Sequence, residues 1–198
     1  MRFDEALRRL EPLPEILPEG PSALIPVFAD TGGPRPRPAW DAAEGSARPA
    51  AVLVLLFPDE AGEARLVLTE RADRGGHHSG EVSFPGGRAP PGDADIVATA
   101  LREAAEEVGL DAVAAGVRVL GTLPVLWIPV SNFTVTPVVA VAQRRPLMTP
   151  QPSEVAAILE APVCAFLPGG ELIRVEREIR GWQIRYAAYP IDGLAVWG

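Results

Sequence analysis

Three glutamates, Glu103, Glu106 and Glu107, fall within one and a half turns of a helical stretch. Glu103 and Glu107 are four residues apart, which stacks one a turn above the other. Carboxylates held together in this way gather hard cations such as Mg²⁺ or Mn²⁺, which prefer oxygen ligands. The same spacing also describes a solvated acidic face on which Arg102 pairs with Glu106. What favours cation chemistry is the approach to the helix. Phe84-Pro85-Gly86-Gly87 is a turn whose glycines allow the backbone close to a cation or a phosphate.

Residues 95–108 carry the acids and read as a helix by period. With Leu101 set at zero, Val97, Ala104, Ala105 and Val108 lie within about 60° of it. The three glutamates fall on the other side, between roughly 140° and 240°. The spacing therefore predicts an apolar back against a core and an acidic front. Asp93 or Asp95 is placed to cap the start, and Gly109 to end the helix.

Around this helix, Ala51 to Phe57 is a continuous apolar run ending at Pro58-Asp59-Glu60-Ala61-Gly62, a buried strand and its turn. Residues 64–71 read as its hairpin partner, and residues 81–84 as a short strand after a loop rich in Gly and His. Further strands are predicted at 117–123, 132–141 and within 171–186, the last as a hairpin. Residues 3–10 repeat apolar side chains at helical spacing. A Pro- and Gly-rich passage to about residue 48 reads as an extended arm or linker. Residues 153–160 read as a short helix capped by Ser153. Strands on both sides of a central helix imply a mixed α/β domain at 46–198, with residues 1–45 packed on it or leading into it.

The 198 residues carry a net charge of -8, which provides no electrostatic footprint for nucleic acid. An anionic substrate would then need local arginines or a bound cation. The single cysteine, Cys164, excludes an internal disulfide and reads as a small buried hydrophobe. The longest apolar runs, Ala50 to Phe57 and Leu123 to Val130, fall short of the ~20 residues that span a bilayer. With no hydrophobic leader at Met1, a cytoplasmic location without membrane association is expected.

The segment Gly87, five residues, Asp93, eight residues, Arg102-Glu103-Ala104-Ala105-Glu106-Glu107-Val108-Gly109-Leu110 resembles the signature of the Nudix family. It differs by one inserted residue and by Asp for Glu at position 93. Upstream, residues 67–87 are similar to the motif of the coenzyme A pyrophosphatase branch. Gly76 stands where that motif has its second Arg, with Arg74 nearby, and Glu81 stands where Gln is common. The resemblance covers about residues 50–198. It implies a Nudix fold, an α/β/α sandwich with a mixed β-sheet and a loop-helix-loop catalytic motif. It further implies Mg²⁺- or Mn²⁺-dependent hydrolysis of coenzyme A to 3′,5′-ADP and 4′-phosphopantetheine, and it admits a homodimer. Other Nudix substrates (ADP-ribose, NADH, a nucleotide sugar) and a non-catalytic binding module are the alternatives.

By this resemblance, Gly87, Glu103, Glu106 and Glu107 are the metal ligands, and Arg102 orients a carboxylate. The general base is a helix glutamate or Glu154, whose other reading is a first-turn helix acid. Arg71, Arg74, His78, Gly80, Phe84 and Gly86 are the substrate-contacting candidates. For Arg71, a surface strand arginine is an equal reading. Trp127 and Phe133 are read as core aromatics before base-stacking ones.

Overall fold

A computed structural model describes residues 1–33, 47–72, 81–128, 131–179 and 181–197. Helix α1 (Phe3–Leu10) opens the chain. The Pro- and Gly-rich passage is more structured than an arm. Ser22–Leu24 forms a 3₁₀ turn, and β1 (Val27–Phe28) joins a sheet. The remainder of that passage, residues 34–46, lies outside the described residues.

The apolar run becomes β2 (Arg48–Pro58), and the hairpin partner β3 (Ala64–Arg71) pairs with it antiparallel at Leu56↔Leu66. Short strands β4 (Val82–Ser83) and β5 (Gly86–Arg88) follow, then α2 (Ile96–Val108). The Phe-Pro-Gly-Gly segment is therefore partly a strand. Gly86 pairs with Val52 and Gly87 with Ala51. Beyond α2 come β6 (Arg118–Thr122), β7 (Leu126–Ile128) and β8 (Phe133–Val141). β8 runs parallel to β2 from Arg48↔Phe133 to Leu56↔Val141, while β6 and β7 pair with it antiparallel. The sheet is thus mixed, in the order β4-β3-β2-β8-β6.

Alternation along β2 sorts the core into two layers, since successive side chains of a strand point to opposite faces. Ala51, Leu53, Leu55 and Phe57 pack with Ala100, Ala104 and Val108 of α2. Leu56 and Val54 pack on the other side with Phe3 and Ala6 of α1. The two helices therefore cover opposite faces of one sheet, the α/β/α arrangement.

Residues 153–160 are not a helix. β9 (Val155–Pro162) pairs antiparallel with β3 over Arg65↔Pro162 to Arg71↔Val155. Val155, Ile158 and Leu159 match helical spacing, but a segment this short forms no stable helix alone. The free edge of β3 rewards pairing instead, and Val155, Leu159 and Ala161 become buried. Ser153 caps nothing there; the Glu154 and Val155 amides donate to the Gln151 carbonyl in a turn.

A second sheet holds β1, β10 (Ile173–Ile179), β11 (Trp182–Ile191) and β12 (Leu194–Val196). Its Tyr189, Ile191, Leu194 and Val196 pack on Leu68, Leu159, Val82 and Phe84 of the first sheet. Cys164, expected to be buried, is exposed. It lies in the 3₁₀ turn Val163–Phe166 after β9, where the apolar run has left the sheet. No helix among the described residues is long and apolar enough to cross a membrane.

Candidate active site

The acids of α2 are aimed by both helix ends. Asp95 caps the first turn, accepting from the Ala98 amide at 2.7 Å. Gly109, with φ 65°, ends the last turn in the left-handed region that glycine enters without strain. Asp93 takes a different part from the capping one. It accepts from Thr99 Oγ1 at 2.8 Å and from Arg102 Nε at 3.1 Å and one guanidinium NH₂ at 3.1 Å. These donors hold the Asp93 carboxyl below the usual carboxylate range, Arg102 first and Thr99 second.

Fixed at its base, Arg102 donates to Glu103 Oε1 and to Glu106 Oε2, each at 2.8 Å. The predicted Arg102–Glu106 pair therefore exists within a larger network. The surrounding carboxylates, Asp93 foremost, push the Arg102 pKa up. Thr99, fully buried on α2, is the member whose part in this network the sequence does not assign. Its signal is a hydroxyl residue on the helix flank that also carries Arg102.

Glu103 and Glu107 meet the glycine strand. A Cβ placed on Gly87 would stand 2.5 Å from Glu103 Oε2 and 2.6 Å from its Cδ, so the carboxylate occupies the space a side chain would fill. Glu107 Oε2 accepts from the Gly86 amide at 3.0 Å. A Cβ on Gly86 would run into the Ala51 carbonyl oxygen and lie 2.6 Å from Val52 Cα. Each glycine thus has its own steric reason: Gly86 admits β2, and Gly87 admits Glu103.

Glu107 is buried, at 6% exposure, which corrects the helical-wheel expectation of an exposed acid. Ala105, assigned to the core by that wheel, is exposed. The buried arc of α2 runs through Thr99, Ala100, Ala104, Glu107 and Val108. It is rotated toward the acids because β5 lies against that flank. Burial pushes the Glu107 carboxyl up. The Gly86 amide and the charge of Arg71 pull it down, and the charges of Glu103 and Glu154 raise it further.

Arg71 and Glu154 therefore bear on Glu107 from strand ends that lie side by side: Arg71 pairs with Val155, and the Ala72 amide donates to the Glu154 carbonyl at 2.9 Å. Phe84 is half-buried against the third apolar cluster with Leu68, Leu159 and Ile191. Trp127 Nε1 donates to Asn132 Oδ1 at 3.3 Å, and Arg48 lies 4.2 Å from the Phe133 ring centroid. Arg74, His78 and Gly80 lie outside the described residues.

The side chains assembled on this flank offer only oxygen, which suits Mg²⁺ or Mn²⁺ rather than a softer ion. Arg102 and the Gly86 amide satisfy the acids as they stand, and among the described residues no group of three or more acidic, His or Cys side chains is assembled to hold a metal ion. Glu103 and Glu107 are instead ranged along one glycine strand, with a carbonyl-bearing backbone beside them. In donor type, though not as an assembled cluster, that set suits a hard divalent cation.

Comparison with known proteins gives a consistent result. The model of the NUDIX domain matches residues 47–182. The chain is 36% identical to "Uncharacterized Nudix hydrolase NudL" of Cronobacter sakazakii over 163 residues, 80% of this chain and 82% of that protein. It is 39% identical to "Nudix hydrolase 15, mitochondrial" of Arabidopsis thaliana over 155 residues, 75% of this chain. It spans 53% of that relative and 39% of "Nudix hydrolase 22, chloroplastic" from the same plant, so about half or less of their lengths. Among solved structures it resembles "a Nudix Hydrolase from M. Smegmatis, RenU", with a TM-score of 0.50 and 25% identity over 62% of this chain and 78% of that one.

Proposed function

The chain belongs to the Nudix hydrolase family, and from that premise we propose that it hydrolyses the diphosphate bond of coenzyme A or its acyl derivatives. Water attacks one phosphorus, the bridging P–O bond breaks, and a proton is released. The products are 3′,5′-ADP and 4′-phosphopantetheine. The observation that carries the hydrolase reading is Glu103 seated on Gly87 while Glu107 accepts from the Gly86 amide. The substrate reading rests on the upstream motif across residues 67–87, which leads into that same glycine strand.

In this proposal Glu103, Glu107 and the Gly87 carbonyl would hold one Mg²⁺ or Mn²⁺, and Glu106 would support a second or assist the first. When bound, such ions offset the charge of the diphosphate and acidify the attacking water. Arg102, gripped by Asp93 at one end, orients Glu103 and Glu106. Arg71, exposed at the end of β3, contacts a phosphate through its fork of donors. Glu154, whose carbonyl accepts from the Ala72 amide beside Arg71, or a helix glutamate takes the proton from water. Arg74, His78, Gly80, Phe84 and Gly86 belong to the segment that receives the substrate.

The test is a panel of diphosphates incubated with the protein and Mg²⁺ or Mn²⁺, with products identified by mass. Release of 3′,5′-ADP from coenzyme A is expected. Release of AMP from ADP-ribose or NADH, with coenzyme A untouched, would keep the hydrolase and remove the substrate.

A further inference from the structure

Resting on the hydrolase reading above, we propose that Arg177 is a positioning residue that fixes the catalytic glycine strand through Glu81. Arg177 lies on β10 of the second sheet, opposite Ile184 of β11. One of its NH₂ groups donates to Glu81 Oε1 at 2.8 Å. The guanidinium carbon sits 5.2 Å from the Trp197 ring centroid and 5.8 Å from that of Tyr186, and the two rings are themselves 4.4 Å apart. Its Nε is buried and has no partner among the described residues. An exposed ion pair gains little because two long side chains must be ordered to form it. Here the aromatic rings have already ordered the arginine.

The other end of the pair leads directly into the site. The Glu81 carbonyl accepts from the Arg71 amide at 3.0 Å. Val82 and Ser83 pair with Glu70 and Thr69. Phe84 packs on the second sheet's cluster, and Gly86 then donates its amide to Glu107. Only two residues of this segment lie in the β3 ladder, so the ion pair and the apolar packing against β11 and β12 add to the Arg71–Glu81 backbone bond in holding its start. The motif that the segment otherwise resembles commonly carries a neutral Gln where Glu81 stands. The negative charge at this position is matched by Arg177 from a different sheet. The register of Gly86 and Gly87 is set by β2; the second sheet thereby steadies the segment that enters that register and brings the two glycines to Glu107 and Glu103.

Three variants of the full chain test this: Arg177→Met, Glu81→Gln and Arg177→Lys. The readouts are hydrogen exchange at the Gly86 amide and a calorimetric Mn²⁺ titration, neither of which requires turnover. Loss of a charged hydrogen bond is expected to speed Gly86 exchange and weaken Mn²⁺ binding by about tenfold or more in Arg177→Met and Glu81→Gln. Arg177→Lys, which keeps the charge over the rings, is expected to stay close to wild type. Wild-type exchange and Mn²⁺ affinity in both of the first two variants, with the fold intact, would overturn the assignment. If Arg177→Met does not fold, Glu81→Gln decides, because it leaves the arginine and its rings in place. A wild-type protein that leaves coenzyme A uncut, while Gly86 exchange still responds to these variants, removes the substrate reading and sustains the positioning role.

Discussion

Glu107 combines two properties that oppose each other in solution: it is buried, and it stands beside two other acids. Burial, joined by the charges of Glu103 and Glu154, raises its pKa against the pull of the Gly86 amide and Arg71. Below the unfolded glutamate value of about 4.3, both folded and unfolded forms are protonated and Glu107 imposes no penalty. As pH rises through the elevated folded value, the unfolded chain gives up its proton first, and the folded state loses stability. Glu107→Gln carries no such loss and still offers an oxygen to the Gly86 amide. Thermal melts in chelator at pH 4 and pH 7.5 should therefore show the variant gaining on wild type as pH rises. An unchanged difference between the two would contradict the burial argument. The same substitution should reduce turnover by more than the roughly 10–100-fold typical of an outer-shell metal partner, with circular dichroism unchanged.

The element that gives these residues their geometry is the pairing of β5 with α2, and its two glycines separate stability from function. Gly87→Ala forces aside only the Glu103 carboxylate, the end of a flexible side chain. It should retain most of its thermal stability and lose Mn²⁺ affinity. Gly86→Ala meets β2 backbone and should cost about 1–3 kcal/mol or more in denaturant unfolding, as overpacking does. Equal melting temperatures for the two would contradict this division. Much of this element was legible in advance. The helix and its Gly109 end follow from local chemistry, which leaves its start between Asp93 and Asp95; the glycine segment expected as a turn is in part strand β5. The burial of Glu107 did not, because a helical wheel records side-chain angles and not which flank a neighbouring strand covers. Residues 153–160 differ from the predicted helix for a related reason. Their apolar spacing fits a helix as well as a strand, and only the vacant edge of β3 decides between them. The network of Asp93 and Thr99 with Arg102 is local, but spacing alone does not show that Asp93 turns from the helix end to Arg102; the link from Arg177 to Glu81 is hidden by 96 residues of chain.

At the scale of the whole molecule, one sheet carries a structural helix on one face and the acidic helix on the other. β2 is shared by both cores, so packing under α1 supports the strand on which Gly86 and Gly87 are aligned. Phe3 is buried in that layer with Leu56, Val139 and Val141. Phe3→Ala should destabilise the protein by about 3 kcal/mol in denaturant titration, and a loss within error of zero would show that α1 is not part of the core. The net charge of -8 sets a second condition: a diphosphate approaches this chain only where local cations reverse the field. In the proposed mechanism Arg71 would supply one, and the carboxylates of α2 would recruit the others. The most direct measurement is a calorimetric titration of Mn²⁺ into the wild-type protein and into Glu103→Gln and Glu107→Gln. Saturable binding in the wild type that is lost in both variants is the predicted result. Equal binding by all three proteins, or none by the wild type, would mean that the acids on the glycine strand do not form a cation site.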